Sequence, residues 1–129
     1  MTVNEVITLA SIIEREARVP ADRPVIASVF YNRLAIGMPL QSCATVQYIL
    51  GEQKPVLSTA DTQIESPYNT YLISGLPPGP IASPGADSIH AALYPEDTNY
   101  LYFLAKGDGS HAFSETYDQF LRDKAKYIN

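Results

Sequence analysis

The chain has 129 residues, of which 46% are hydrophobic and 18% charged, so it has enough apolar material for one domain with its own core and too little charge for a disordered chain. Fourteen acidic residues against nine basic ones give a net charge of −5, which argues against nucleic-acid binding. Cys43 is the only cysteine, which excludes an internal disulfide. No apolar run approaches the roughly 18 residues that a membrane span requires.

The N-terminal segment predicts a core helix. Thr2 and Glu5 form a capping box, and Pro20 ends the helical pattern. The apolar residues that recur at helical spacing in this segment are Val3, Val6, Ile7, Ala10, Ile13 and Ala17.

Two further helices are predicted in the first half of the chain. Asp22 is the expected N-cap of the second helix, which ends at Gly37. A brief third helix is expected from Thr45 to Leu50 and is closed by Gly51.

A long segment without charge follows. There is no Lys or Arg between Lys54 and Lys106, and residues 66–86 carry no charge of either sign. Because this stretch is rich in proline and glycine, it cannot form a long helix or a central strand. Its tyrosines and aliphatic residues indicate an ordered loop from Ser66 to Gly85 that packs on the domain, and loops of this length are usually functional. Its prolines are Pro67, Pro77, Pro78, Pro80 and Pro84.

The C-terminal part combines helices with a hairpin. Ser83 or Asp87 is expected to cap a helix that ends before Pro95. The aromatic run Tyr100–Ala105, a glycine-rich turn, and His111–Phe113 then describe a β-hairpin.

Ser114 is expected to cap a last helix that extends to the C-terminus. The sequence therefore predicts the α+β class: a mainly helical single domain over residues 1–129, with a small antiparallel β-hairpin and a long ordered loop rich in Pro and Gly.

Metal and cofactor sites have little support in the sequence. His90 and His111 lie on different predicted elements, and no paired metal-ligand spacing is present. No phosphate-binding glycine pattern opens a helix, and nothing places a base beside Cys43. We therefore expect neither a metal nor a cofactor.

Glu14 is the carboxylate that the helical pattern singles out. On a helical wheel it falls inside the apolar arc of the first helix, between the directions of Val3 and Ile7, while Glu16 lies near the edge of that arc. Partial desolvation would raise the pKa of Glu14 and suit it to act as a general acid. An ordinary ion pair with Arg18, four residues later, is the alternative.

The loop segment Tyr68–Tyr71 alternates aromatic rings with uncharged hydrogen-bonding groups. Such a surface suits a sugar, since rings cover C–H faces while amides and hydroxyls bond to sugar hydroxyls. The alternative, preferred on the residues alone, is a buried turn in which Asn69 and Thr70 satisfy backbone groups and the tyrosines fill the core.

Several longer segments together resemble one family. The chain is similar over nearly its whole length to the catalytic domain of the MltG family of bacterial endolytic murein transglycosylases, also called YceG-like proteins. The segments that carry this resemblance are TLASIIEREA (8–17), IASVFYNRL (26–34), GMPLQS (37–42), TVQYILG (45–51), SPYNTYLISGLPPGPIASPG (66–85) and YLYFLAKGDGSHAFS (100–114).

The resemblance implies a site. Glu14, in the LASIIE motif, would be the catalytic acid/base, and the loop from Ser66 to Gly85 would form one wall of a sugar groove opposite it. Cys43 and Ala44 depart from the Asp-Pro pair of many family members, so no role for an acid at that point carries over. The substrate-binding residues implied by these motifs and the adjoining tyrosines are Gln41, Ser42, Tyr68, Asn69, Thr70 and Tyr71.

The implied reaction cleaves the β-1,4 bond between N-acetylmuramic acid and N-acetylglucosamine. Glu14 would protonate the leaving oxygen and then take the proton of the C6 hydroxyl as that oxygen attacks C1, leaving a 1,6-anhydromuramyl end. The resemblance further implies peptidoglycan glycan strands as substrate, peptidoglycan synthases as partners, and a location at the outer face of the bacterial cytoplasmic membrane. Because the family's N-terminal anchor and LysM-like region have no counterpart here, we expect an excised catalytic domain.

Two other functions stay open. One is an inactive peptidoglycan-binding module, which the Cys43 departure motivates. The other is a hydrolase that uses Glu65 or Asp61, at the margin of the loop, as base or nucleophile.

Overall fold

The computed structural model describes residues 1–54 and 56–128. Within these residues five α-helices accompany one two-stranded antiparallel sheet, so the α+β class is confirmed. Short 3-10 turns lie at Pro20–Asp22 and Asp61–Gln63. In chain order the elements are α1 (Val3–Glu16), α2 (Arg23–Ala35), α3 (Cys43–Leu50), α4 (Ala86–Leu93), β1 (Tyr102–Ala105), β2 (His111–Ser114) and α5 (Tyr117–Tyr127).

Helix α1 is the centre of the core. It packs chiefly against α4 and also against α2 and α3. Removing these aliphatic and aromatic side chains from water supplies the main driving force for folding. The buried apolar residues of this cluster include Leu9, Ile12, Ile13, Ile26, Phe30, Leu40, Ala91 and Ala92.

The capping box at the start of α1 is confirmed, but the buried face of the helix differs from the predicted one. Val3 is 80% exposed, whereas Thr8 and Ser11 are buried. The Ser11 hydroxyl accepts a hydrogen bond from the backbone N–H of Ile81 and donates one to the carbonyl of Thr8. The long loop therefore covers a polar strip of α1 that a helical wheel assigns to solvent.

One predicted N-cap position is confirmed and two are wrong. Asp22 is the N-cap residue of α2, but its side chain makes no capping bond and instead accepts hydrogen bonds from the backbone and ring of His111. At α4 the N-cap position is Gly85, neither Ser83 nor Asp87. Helix α5 is capped by Thr116, because Ser114 belongs to strand β2.

The hairpin is confirmed. Tyr102 pairs with Ser114 and Ala105 with His111 in the antiparallel register. The turn contains Gly107 and Gly109, both at φ +95, a conformation that other residues rarely adopt. Helix α5 packs against both strands, so the sheet and α5 form one side of the molecule.

The Ser66–Gly85 loop has neither helix nor strand and packs on the domain, as predicted. Asn69 and Thr70 are fully buried at its start, and Leu76 and Ile81 pack against the core further along. No helix in the described part of the chain is long and apolar enough to cross a membrane.

Candidate active site

A cavity of about 530 Å³ opens between the C-terminal end of α1, the start of α3, the hairpin and α5. Its lining residues come from residues 15–71 and 102–120 of the chain, and they include a carboxylate, guanidinium groups, amides and aromatic rings. The residues that line it are Arg15, Glu16, Arg18, Arg33, Leu40, Gln41, Cys43, Ala44, Gln47, Gln53, Tyr71, Tyr102, Phe103, Leu104, Ala105, His111, Tyr117 and Phe120.

Glu16 supplies the carboxylate of the cavity. Its Oε1 accepts a hydrogen bond of 2.7 Å from the Ser42 hydroxyl and one of 3.2 Å from the backbone N–H of Ala44. Ala44 lies in the first turn of α3, where free N–H groups and the helix dipole favour a negative charge. The two hydrogen bonds to Oε1 therefore hold the Glu16 carboxylate at the N-terminus of α3. Glu16 also lines the cavity.

Glu14 lies on another side of the same helix. Two residues of an α-helix differ in direction by about 200°, so Glu14 and Glu16 point to nearly opposite sides. The Oε1 atom of Glu14 accepts hydrogen bonds from the backbone N–H of Gly85 at 2.8 Å and the Ser88 hydroxyl at 3.0 Å. Glu14 therefore caps α4, and it does not line the cavity.

The predicted rise in the pKa of Glu14 is wrong. The Gly85 N–H, followed by the Ser88 hydroxyl, stabilises the ionised carboxylate and lowers its pKa below the ordinary value of 4.5. The alternative of an ion pair with Arg18 is not observed among the described residues. Sequence periodicity placed this side chain on the packed face of α1 but could not show which donors it meets there.

Gln41 and Ser42 lie together at the start of α3. Gln41 is exposed at the cavity and has a positive φ of 51, and its backbone N–H donates to the carbonyl of Thr70. Ser42 is only 3% exposed and donates its hydroxyl to Glu16. Gln41 is thus accessible to a ligand, while Ser42 positions the carboxylate.

Asn69 and Thr70 support the site from below its surface. Both are 0% exposed, so their side chains lie beneath the surface that a ligand would meet in this structure. Asn69 donates to the carbonyls of Thr62 and Ile64 and accepts from the N–H of Tyr71. The buried-turn alternative therefore describes these two residues correctly, because their polar atoms satisfy backbone groups.

Thr70 connects this turn to α3. Its Oγ1 accepts the backbone N–H of Ser42 at 2.9 Å and lies 2.8 Å from the hydroxyl of Thr45. Ser42 is in turn the residue that donates to Glu16. The buried turn of the loop thus holds in place residues 42–44, whose Ser42 hydroxyl and Ala44 N–H bond to the Glu16 carboxylate.

The two tyrosines of the loop have separate positions. Tyr71 lines the cavity, and its hydroxyl lies 3.1 Å from the thiol of Cys43. Tyr68 lies outside the cavity with its ring 5.0 Å from that of Tyr48. Of the Ser66–Gly85 loop, Tyr71 lines the cavity, while Gly85 at the other end of the loop lies beside Glu14.

The protein around Tyr71 and Cys43 keeps both groups neutral. Desolvation raises the pKa of the Tyr71 hydroxyl, and the hydrogen bond to Cys43 raises it further. Desolvation also raises the pKa of the Cys43 thiol, although the residue itself is exposed at the cavity. A thiol with a raised pKa is a poor nucleophile, so this pair supplies hydrogen-bonding groups.

An aromatic wall on the hairpin and α5 was missed by the sequence reasoning. The rings of Tyr102, Tyr117 and Phe120 lie with centroids 5.5 to 5.9 Å apart and all three line the cavity. Tyr117 and Phe120 are three residues apart on α5, a spacing that predicts a shared helix face. The spacing alone does not reveal that this face meets the end of α1.

The other acids proposed from sequence lie elsewhere. Asp61 pairs with Lys54 at 2.7 Å and accepts the backbone N–H of Ser58, and these contacts lower its pKa. Neither Asp61 nor Glu65 lines the cavity. Across residues 1–54 and 56–128, no three His, Cys, Asp or Glu side chains come together as metal ligands.

Comparison with known proteins agrees with this architecture. The sequence profile described as the YceG-like family matches residues 1–126. The chain belongs to the YceG-like family. The same fold occurs in a putative YceG-like protein from Listeria monocytogenes, whose crystal structure superposes on 95% of this chain and 40% of its own with a TM-score of 0.90 and 51% identity.

Two sequence relatives of this YceG-like domain are named endolytic murein transglycosylase. The protein from Bacillus subtilis strain 168 is 50% identical over 129 residues, which is all of this chain and 36% of that protein. The protein from Streptococcus pneumoniae serotype 2 is 39% identical over 135 aligned residues and is 24% covered. The chain thus spans about a third or a quarter of the length of these relatives.

Proposed function

We propose that this YceG-like domain is an endolytic murein transglycosylase in which Glu16 is the general acid/base. The observation that carries the proposal is the cavity, whose described lining holds one carboxylate, Glu16, beside a wall of aromatic rings. The names of the relatives support the reaction class.

A single carboxylate is sufficient for the intramolecular reaction. The carboxyl group of Glu16 donates its proton to the oxygen that leaves C1 of N-acetylmuramic acid. The resulting carboxylate then accepts the proton of the C6 hydroxyl as the C6 oxygen bonds to C1, which gives a 1,6-anhydromuramyl end. The usual glycoside hydrolase needs a second carboxylate about 5 to 9.5 Å away, as nucleophile or as base for water.

The contacts of Glu16 suit this cycle. Ser42 and Ala44 donate to Oε1 and stabilise the ionised form that remains after the proton has been delivered. A glycan that fills the cavity would exclude water from the carboxyl group, so that its proton passes to the glycosidic oxygen without competition from solvent.

Glu14 is the weaker candidate for the same role. Its carboxylate is used as the cap of α4, and its lowered pKa disfavours proton donation near neutral pH. It also lies away from the aromatic wall. Glu14 therefore serves the packing of α1 against α4 in this proposal.

The aromatic and polar parts of the cavity bind the sugar. Tyr102, Tyr117 and Phe120 offer ring faces to the C–H surfaces of pyranose rings. Gln41 and Tyr71 offer an amide and a neutral hydroxyl to the acetamido and hydroxyl groups. In the same proposal the buried residues Ser42, Asn69 and Thr70 hold the residues of the cavity surface in place. Tyr68 lies outside the cavity.

The biological setting follows from the substrate. Murein lies outside the cytoplasmic membrane, so we place the reaction at the outer face of that membrane, on peptidoglycan glycan strands. In the full-length protein an N-terminal anchor would hold the domain there, close to peptidoglycan synthases. These statements rest on the proposed reaction and on the family.

The experiment compares Glu16→Gln with Glu14→Gln, two isosteric changes two residues apart on one helix. Purified murein is incubated with each protein, and anhydromuramyl ends are counted by mass spectrometry. We expect Glu16→Gln to reduce their release by about 10² to 10⁴-fold, the range typical of a lost general acid. Glu14→Gln should stay within a few-fold of the unsubstituted protein, and thermal melting serves as the folding control.

Other outcomes discriminate between the alternatives. Loss of activity in Glu14→Gln but not in Glu16→Gln, with both folded, would restore Glu14 as the acid. Reducing muramic ends in place of anhydro ends would identify a hydrolase. Binding to glycan strands with no new ends, using the full-length protein as well as this domain, would identify a binding module and overturn the proposal.

A further inference from the structure

The cavity has a charge opposite to that of the whole chain. Three of the nine Lys and Arg residues, Arg15, Arg18 and Arg33, line it, together with one of the fourteen acids, Glu16. A neutral sugar does not require guanidinium groups for recognition. The concentration of positive charge in a protein of net charge −5 therefore indicates an anionic group on the ligand.

Arg33 is a buried cation, and no carboxylate within residues 1–54 and 56–128 forms an ion pair with it. It is 6% exposed, and its Nε and Nη1 donate to the backbone carbonyls of Leu101, Pro39 and Leu40. Its Nη2 has no hydrogen-bond partner among residues 1–54 and 56–128. Because no counter-ion neutralises it there, Arg33 gives the base of the cavity a fixed positive potential.

Arg15 and Arg18 add mobile charge at the rim. Both are exposed, and neither forms an ion pair within the described part of the chain. With the Gln53 amide oriented so that its oxygen faces α1, Arg15 contacts that oxygen. Because the rim carries two guanidinium groups and one carboxylate, it has N–H donors available for a carboxylate of the ligand.

We propose that Arg15 and Arg18 bind a carboxylate of the N-acetylmuramic acid unit of the glycan strand, either on the sugar or on its stem peptide, and that Arg33 strengthens this binding from below. The inference rests on murein as the substrate of the cavity. Guanidinium groups match carboxylates with two parallel N–H bonds, which gives orientation as well as affinity. The contact would set which sugar lies over Glu16, since N-acetylglucosamine carries no carboxylate.

The carboxylate has two sources in murein. In peptide-bearing strands the lactyl carboxyl of muramic acid is amide-linked, and the free carboxylates are on the stem peptide. In strands stripped by an amidase, the lactyl carboxylate itself is free. A third preparation, in which the stripped strands are treated with carbodiimide and methylamine, has both kinds of carboxylate removed.

The test measures binding of these three soluble preparations to Arg15→Gln/Arg18→Gln and to the unsubstituted protein, by titration calorimetry. Arg122→Gln is the matched control, because Arg122 is exposed on α5 and lies outside the cavity. We expect the double variant to bind carboxylate-bearing strands about tenfold more weakly, and Arg122→Gln to be unchanged. Added salt should weaken binding by the unsubstituted protein more than by the double variant.

The three preparations identify the source and decide the proposal. Preference for peptide-bearing strands assigns the stem peptide, and preference for stripped strands assigns the lactyl group. Equal binding of all three, or equal weakening of all three in the double variant, would overturn the carboxylate site. Binding that depends on the arginines without release of anhydro ends by the unsubstituted protein would sustain this inference and reject the transglycosylase.

Discussion

Glu14 and Glu16 occupy similar local settings and have different surroundings. Each accepts a backbone N–H at the start of an eight-residue helix and a hydroxyl from a buried serine: Gly85 and Ser88 for Glu14, Ala44 and Ser42 for Glu16. Only the second carboxylate also lines the aromatic, cationic cavity. Hydrogen-bond partners alone therefore do not distinguish a structural cap from a candidate acid.

The difference lies in what surrounds each helix start. On the Glu14 side, α1 packs against α4. On the Glu16 side the hairpin and α5 face the start of α3 across the cavity, so a ligand has access. In our proposal the same capping chemistry stabilises the fold on the first side and positions the acid on the second.

The largest expected effect on stability tests the buried support of the Glu16 side. Asn69→Ala would leave the carbonyls of Thr62 and Ile64 and the N–H of Tyr71 without their partner, so we expect a loss of about 3 kcal/mol in the free energy of unfolding. Urea denaturation measures it. Asn4→Ala, which removes one exposed bond to Pro78, should cost little, and equal losses in both variants would show that the turn does not support the site.

The next prediction uses the two serines as a matched pair. Ser42→Ala removes a donor from Glu16, so the carboxylate formed during turnover is less stable and the rate should fall about tenfold. Ser88→Ala removes the corresponding donor from Glu14 and should leave the rate unchanged. Initial rates of anhydromuramyl release measure both effects. A larger loss of rate in Ser88→Ala than in Ser42→Ala would indicate that Glu14, and not Glu16, is the acid.

Glu14 has a pH-dependent role in stability. Because its pKa is lowered in the folded protein, it contributes stability above its ordinary pKa of 4.5, and that contribution is lost as pH falls through the lowered value. We expect Glu14→Ala to cost about 1 kcal/mol at pH 7, as for other lost caps. Glu14→Gln, which keeps the acceptor oxygen, should cost less.

Denaturation of these proteins at neutral and acidic pH provides the check. The gap between the unsubstituted protein and Glu14→Gln should close as pH falls below 4.5 and through the lowered pKa of Glu14. A gap that is constant with pH, or one that widens in acid, would mean that the ionised carboxylate is not the cap of α4.

The smallest expected effect concerns the two loop tyrosines. Tyr71→Phe removes a neutral hydroxyl from the cavity and should lower kcat/KM about threefold, which corresponds to one weak hydrogen bond. Tyr68→Phe, outside the cavity, should have no effect on kcat/KM. A larger loss for Tyr68→Phe would show that the glycan runs along the loop and not through the cavity.

Much of the fold could be predicted because its signals are local. The capping box of α1, the glycine that closes α3 and the glycine turn of the hairpin each depend on a few neighbouring residues. The caps predicted at Ser83 or Asp87 and at Ser114 are wrong, because the N-cap positions lie two residues away, at Gly85 and Thr116. Asp22 is the N-cap residue of α2 as predicted, but its side chain bonds to His111, a partner distant in sequence.

The site was less predictable because it is assembled from distant segments. The sequence singled out the end of α1, the residues before α3 and the loop tyrosines, and three of those predicted residues are part of the observed arrangement: Gln41 and Tyr71 line the cavity and Ser42 holds Glu16. Asn69 and Thr70 were identified as polar residues of a turn, but their complete burial depends on tertiary packing. The wall of Tyr102, Tyr117 and Phe120 had no signal beyond ordinary aromatic spacing.

The sequence by itself determined an α+β domain with a stiff, uncharged loop, a helix that carries two closely spaced glutamates, and a family resemblance. It did not determine which glutamate faces the cavity. The helical wheel places Glu14 inside the apolar arc of α1 and Glu16 near its edge, and about 200° of helix rotation separates them. Only the tertiary structure decided that Glu14 bonds to the start of α4 while Glu16 lines the cavity between α3, the hairpin and α5, because that choice depends on contacts between segments far apart in the chain.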